Sequence, residues 1–292
     1  MIQRNNNLSP LPFYDNIDEQ NHYKSYAYGE VYPLYTPIGS IPPFQLIIPH
    51  TTATVSSVTL YKVATSTGTN ITSAINTAGL IKKNFAANGY DVVLYPSMNV
   101  TNFSTEEGRY YIVVQLSNGD RYYSDIFTMV GDMSGYLNLM WWDLNDLEMD
   151  NARIVYKDGA VACYRNQLWL QTQLGKPDYD FTEEGETRDG YFFAEKMVSE
   201  KKYKCTILAP EYLCDVMRFI RMSDRVYVTD QNGIQYRCDT FLITPKWEQQ
   251  GDLASVEIEF TCDTVAKKIG KGYVDTGADF NNDYNNDYSI ND

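Results

Sequence analysis

Histidine is nearly absent from this 292-residue chain, which has only His22 and His50, both among the first 50 positions. Nucleophilic chemistry of the Ser–His or Cys–His kind needs an imidazole as proton acceptor, so no triad is expected. The five cysteines, Cys163, Cys205, Cys214, Cys238 and Cys262, are odd in number and include no CxxC spacing. With so few imidazoles beside them they do not compose a zinc site. Cys205, Cys238 and Cys262 lie in strand-like runs and read as buried, reduced thiols of a protein assembled in a reducing cytoplasm. Neither GxGxxG nor GxxxxGK[ST] occurs, so no nucleotide site is fingerprinted. No apolar run is long enough to span a bilayer, and Met1-Ile-Gln-Arg-Asn-Asn-Asn lacks the apolar centre of a signal peptide.

Basic residues are scarce as well: 24 Lys and Arg stand against 38 Asp and Glu, a net charge of −14. A field of that sign disfavours nonspecific contact with nucleic acid or anionic membranes and leaves proteins and neutral glycans open as partners. Carboxylates are plentiful, but candidates for a glycosidase pair such as Asp143 and Glu183 do not stand out from their neighbours. The chain reads as a non-enzyme that carries no cofactor and no metal.

What is present is β-forming material. The hydrophobic fraction of 43% supports real cores, and 25 Tyr against 12 Phe and 4 Trp is the compositional oddity. Tyrosine suits strands with one wet face and also suits interfaces, because it joins a flat apolar body to a polar tip. The predicted fold class is mainly β with minor α, a β-sandwich domain followed by an α+β or β-rich domain.

Residues 1–40 read as an extended N-terminal arm punctuated by Pro10, Pro12, Pro33 and Pro37. Its aromatic stretch makes Tyr26, Tyr28, Tyr32 and Tyr35 candidate interface residues. Residues 41–131 carry short alternating runs at Phe44–Ile48, Val58–Val63 and Tyr90–Tyr95, and a hairpin around Asn118-Gly119. Asn-Gly accepts positive φ in a tight turn, and the strand spacing predicts an immunoglobulin- or fibronectin type III-like sandwich. Residues 136–266 are predicted as a β-rich domain with one helix at about 210–223. In that helix Leu213, Val216, Met217 and Ile220 share a face, and Pro210 is expected in its first turn.

Adjacent Trp141 and Trp142 must face opposite sides of their strand, one toward core and one toward a domain or subunit contact. The acids of 143–151 are expected in a solvated loop. Residues 175–190 are expected to form a polar loop carrying contacts, with Tyr179, Phe181, Glu183, Glu184 and Arg188 as candidates. Residues 267–292 form an acidic, Asn/Asp-rich C-terminal tail. Its Asn-Asn-Asp-Tyr repeats lack the Gly and bidentate Glu of a calcium loop, where Tyr284 and Ile290 stand instead.

Four stretches carry a resemblance: Tyr122-Tyr-Ser-Asp-Ile-Phe127, the Trp141-Trp142 strand, Glu183-Glu-Gly-Glu-Thr-Arg-Asp-Gly190, and the segments from Pro245-Lys-Trp-Glu to Leu253-Ala-Ser-Val-Glu-Ile-Glu-Phe260. Across residues 120–262 the chain resembles virion structural proteins of tailed bacteriophages, of the type found in Bacteroides and crAss-like phages. The resemblance implies a tail or baseplate component, such as a distal-tail, hub or ring protein. It implies location in the virion tail, ring assembly with other copies, contact with neighbouring tail or portal-proximal proteins, and no catalytic residues or cofactor. The alternative left by the residues themselves is a glycan- or cell-surface-binding adhesion module built on exposed Tyr and Trp.

Overall fold

The structure is a computed structural model and describes residues 9–16, 34–63, 72–74, 81–85, 89–95, 106–144, 147–149, 153–155, 164–188, 190–248 and 253–268. The chain is mainly β with minor α, as the sequence predicts. The first strands are β1 Phe13–Tyr14, β2 Tyr35–Pro37, β3 Phe44–Pro49, β4 Val55–Lys62, β5 Thr72–Ala74 and β6 Ile81–Phe85. Then come β7 Tyr90–Tyr95, β8 Gly108–Leu116, β9 Arg121–Ser124, β10 Phe127–Val130 and β11 Leu137–Trp142. They are followed by β12 Leu147–Met149, β13 Arg153–Val155, β14 Asn166–Leu170, β15 Asp178–Arg188 and β16 Tyr191–Pro210. Helix α1 (Glu211–Met217), a 3-10 turn at Ile220–Met222, β17 Arg225–Thr229, β18 Gln235–Lys246 and β19 Leu253–Lys268 complete the order.

The largest sheet runs β1-β9-β8-β10-β2-β14-β11-β17-β18-β19-β16-β15, with β4 and β5 attached beside β8. The short strand β2 is its bridge. It pairs parallel with β10 through Tyr35, Thr36 and Pro37, and touches β14 through Tyr35 opposite Trp169. A separate sheet, β3-β7-β6, packs on the first half. Phe44, Leu46, Ile48, Val93 and Tyr95 from it share one apolar cluster with Val58, Leu60, Ile112, Val114 and Leu116. Alternation in these strands puts one set of side chains into that seam and the other outward, the ordinary logic of sheet-on-sheet packing. The Asn118-Gly119 hairpin joins β8 to β9, with Gly119 at φ 96° where an L side chain would be strained.

In the second half, α1 lies across β16, β18 and β19. Leu213, Val216 and Met217 are buried on that face as the sequence predicts, but the helix expected over about 210–223 ends at Met217, and Ile220, also buried, belongs to the 3-10 turn that follows. Pro210 stands one position earlier than expected, as the extended N-cap residue at ψ 164°. Beneath the helix, Tyr203, Cys205, Ile207, Phe241, Val256, Ile258 and Phe260 form the packed face of the sheet.

The opposite face of that sheet is wet and laced with ion pairs. Lys204 Nζ lies 2.8 Å from Glu259 and 3.7 Å from Glu257, and Lys246 Nζ lies 3.5 Å from Glu257. The hydrogen bond from Lys204 holds the Glu259 carboxyl below the usual carboxylate range. This division, apolar side under the helix and charged side outward, orients everything beyond it.

Candidate functional site

Strand β16 does not stop where the helix stops covering it. Its 20 residues extend about 65 Å at the usual rise per residue, and α1 packs against its C-terminal half. The remainder, residues 191–202, pairs with β15 on one side and with residues 261–268 of β19 on the other. The result is a three-stranded arm projecting past the body.

The corner where arm meets body is built from two bulges that face each other across β19. The β16–β19 register shifts between Ser199 and Lys201, and the β18–β19 register between Cys238 and Thr240. Asp263 adopts φ 53°, the left-handed conformation that Asp tolerates better than most side chains. Its carboxylate accepts from Lys201 Nζ at 3.0 Å, while the Asp239 carboxylate accepts the Thr264 N–H at 3.1 Å. Thr240 and Thr261 hydroxyls meet at 2.8 Å. These bonds fix the direction in which the arm leaves.

Register defines the two faces of the arm. Tyr179 lies opposite Lys201, Phe181 opposite Ser199 and Glu183 opposite Met197, on the side that continues the helix-covered face. Val265 sits opposite Ser199 in the same row. Among the described residues no helix covers them: Tyr179 is 74% exposed, Phe181 59% and Val265 66%. Phe192 joins this face beyond a bulge at Glu184–Gly185, and is 53% exposed. The other face carries ion pairs, Lys196 with Glu184 at 3.0 Å and Lys202 with Asp180 at 3.8 Å. The open side of the arm thus carries exposed Tyr179, Phe181, Val265 and Phe192, interspersed with Lys201, Glu183 and Lys267.

Gly185 is required by this geometry. A Cβ there would run into the carbonyl oxygen of Phe193 and the backbone of Ala194. The close backbone approach at the bulge is possible only without a side chain. Gly190, at φ 86°, turns the chain from β15 into β16.

The sequence candidates fall in different places. Tyr179, Phe181, Glu183 and Glu184 come together on β15. Arg188 ends that strand, and its side chain lies outside the described residues, as do Tyr26, Tyr28 and Tyr32 entirely. Tyr35 is in β2, with its hydroxyl donating to Gln171 at 3.1 Å and its ring 5.0 Å from that of Tyr136. The two tryptophans do face opposite sides. Trp141 is 2% exposed in the core, while Trp142 is stacked on Tyr227 at 5.1 Å and 6° with the Arg165 guanidinium 4.5 Å from its ring. Both of these contacts are within the chain.

Two expectations are corrected. Residues 175–190 are not a loop: 178–188 form β15, because an uncovered edge strand needs no apolar partner and its Asp-, Glu- and Thr-rich composition conceals it. Asp143 is not solvated. It is 5% exposed and accepts the Asp224 N–H at 3.1 Å, while Asp224 accepts the Leu144 N–H at 2.8 Å. Burial raises the Asp143 carboxyl above its ordinary range. The tail from 269 onward, with its Asn-Asn-Asp-Tyr repeats, lies outside the described residues.

Sequence reading missed Phe192, Val265, Lys267 and Lys268 as parts of the site. The signal available for Phe192 was the apolar run Tyr191-Phe-Phe-Ala194 after Gly190, while regular alternation begins only near Tyr203, in the strand under the helix. Comparison with protein-family models, curated proteins and solved structures returned no match to this chain.

Proposed function

We propose that the chain is a structural component of a bacteriophage tail, of hub, ring or baseplate type, which assembles as an oligomer with neighbouring virion proteins. The observation that carries this reading is the arm: a three-stranded extension of the sheet whose open face exposes Tyr179, Phe181, Phe192 and Val265. Exposed apolar patches of this kind mark protein contacts, and a strand edge left unpaired is a template for another strand. The resemblance of residues 120–262 to tailed-phage virion proteins supplies the setting.

A glycan- or cell-surface-binding module is the competing reading, and the exposed rings of Tyr179, Phe181, Tyr191 and Phe192 are what favours it. The tryptophans do not favour it, since Trp141 is core and Trp142 has Tyr227 and Arg165 against it. Quantitative mass spectrometry of purified virions separates the two. A structural layer gives a fixed copy number per particle and no glycan-array signal. Array binding abolished by Tyr179→Ala or Phe192→Ala, with no stoichiometric copies in the particle, overturns the structural reading.

A further inference from the structure

The arm has two free edges, and they differ in charge. Strand β15 ends the sheet on one side. It carries five carboxylates, Asp178, Asp180, Glu183, Glu184 and Glu186, of which Asp180 and Glu184 are paired with Lys202 and Lys196 of the neighbouring β16. On the other side, β18 pairs with β19 only as far as Cys262. Beyond it, among the described residues, the outer edge of β19 has no strand beside it. That edge ends in Lys267 and Lys268, and the two acids at its root are already engaged: Asp263 is tied to Lys201, and Asp239 of β18 accepts the Thr264 N–H. Neither Lys267 nor Lys268 forms an ion pair among the described residues.

We infer that the arm is completed by a second copy of this chain, with the acidic β15 edge of one copy pairing with the basic distal edge of β19 of the next. Charge selects this pairing over the symmetric ones. Placing β15 against β15 sets two carboxylate-rich edges together, and like charges juxtaposed at an interface are costly. Opposite edges attract, and the contact is heterologous: each copy offers one edge of each sign, so association propagates and closes as a ring when the rotation permits. Both edge strands run antiparallel to β16 and hence parallel to each other. Copies related by rotation about an axis along the arm keep that direction, and β15 meets the neighbouring β19 in parallel.

The apolar row supports the same arrangement. Within a copy, Phe181, Ser199 and Val265 stand at one level on the open face. In-register pairing between copies brings Phe181 of one beside Val265 of the next, covering part of two side chains that are 59% and 66% exposed in the single chain. Main-chain hydrogen bonds along the joined edges supply affinity, and the side-chain rows supply register.

This inference rests on the structural reading above and names its contact. The test is charge reversal at exposed arm positions, followed by mass photometry and sedimentation over a wide concentration range. Glu183→Lys with Glu184→Lys, and separately Lys267→Glu with Lys268→Glu, are each expected to raise the half-assembly concentration by about a hundredfold, because the proposed register sets Glu183 beside Lys267 and Glu184 beside Lys268. The four substitutions together, or the two variants mixed, restore assembly, because opposite edges again meet. Circular dichroism checks that each variant is folded. Assembly untouched by either reversal, or lost in both and not restored by the combination, overturns the inference. So does a wild-type chain that stays monomeric, or one whose arm takes only a different virion protein. Finding the protein in virions at fixed copy number in those cases leaves the tail reading standing and removes only the edge pairing.

Discussion

Replacing Trp142 with alanine separates a structural tryptophan from a ligand platform. The indole is held on one side by the Tyr227 ring, nearly parallel at 6° and 5.1 Å, and on the other by the Arg165 guanidinium at 4.5 Å. A stacked aromatic pair is worth about 0.5–1.5 kcal/mol beyond its area. A cation over the ring adds about 0.5–1 kcal/mol at a partly exposed site. Trp142→Ala is therefore expected to cost roughly 1–2.5 kcal/mol of stability. Urea denaturation of the single variants and of the double variant Trp142→Ala/Tyr227→Ala gives the coupling directly. About 0.5–1.5 kcal/mol of interaction energy is expected between the two rings. A coupling indistinguishable from zero refutes the stacking argument. Loss of glycan binding without loss of stability refutes the structural assignment of the residue.

Gly185→Ala should disturb the arm and leave the body intact, because the added methyl meets the Phe193 carbonyl. Hydrogen exchange is expected to quicken across 183–196 while α1 and the strands beneath it keep their protection. The buried thiols should be inert in the folded chain, since burial pushes Cys205 up to about 12 and Cys214 to about 11. At pH 8 their modification by a disulfide reagent should follow the unfolding rate, and immediate reaction of either contradicts the packing described. Asp143, raised by burial, contributes stability that is full below the unfolded carboxylate pKa and is lost as pH rises through the folded one. Asp143→Asn keeps an acceptor for the Asp224 N–H and should flatten that part of the stability–pH profile. Asp143→Ala leaves the N–H unanswered and should cost about 1–3 kcal/mol.

What the sequence revealed followed from burial on one side only. The helix face of Leu213, Val216 and Met217 was legible because a core beneath it imposes the 3.6-residue period, while the 3-10 turn that carries Ile220 was not told apart from it. Val256, Ile258 and Phe260 were legible because the helix covers one side of β19 and Glu257 and Glu259 face water. The arm was not, because among the described residues neither face of β15 is buried, and the alternation begun by Tyr179 and Phe181 stops at Glu183-Glu-Gly-Glu186. The same reason hid the last residues of β19, where Val265, Lys267 and Lys268 read as the approach to a tail. Asp143 was misplaced because its burial depends on a backbone N–H 81 positions away, a contact no local pattern encodes. The candidates Tyr179, Phe181, Glu183 and Glu184 were found by composition, and the structure sets them along one strand rather than around a loop.

Zero-length carbodiimide cross-linking of a mixture of isotope-labelled and unlabelled chains tests edge pairing most directly, because it joins a carboxylate to an amine only where the two touch. The expected products are mixed-isotope cross-links joining Glu183, Glu184 or Glu186 to Lys267 or Lys268. Cross-links confined to one chain, such as Glu184 to Lys196 or Asp180 to Lys202, with no mixed-isotope product from the arm, would contradict it.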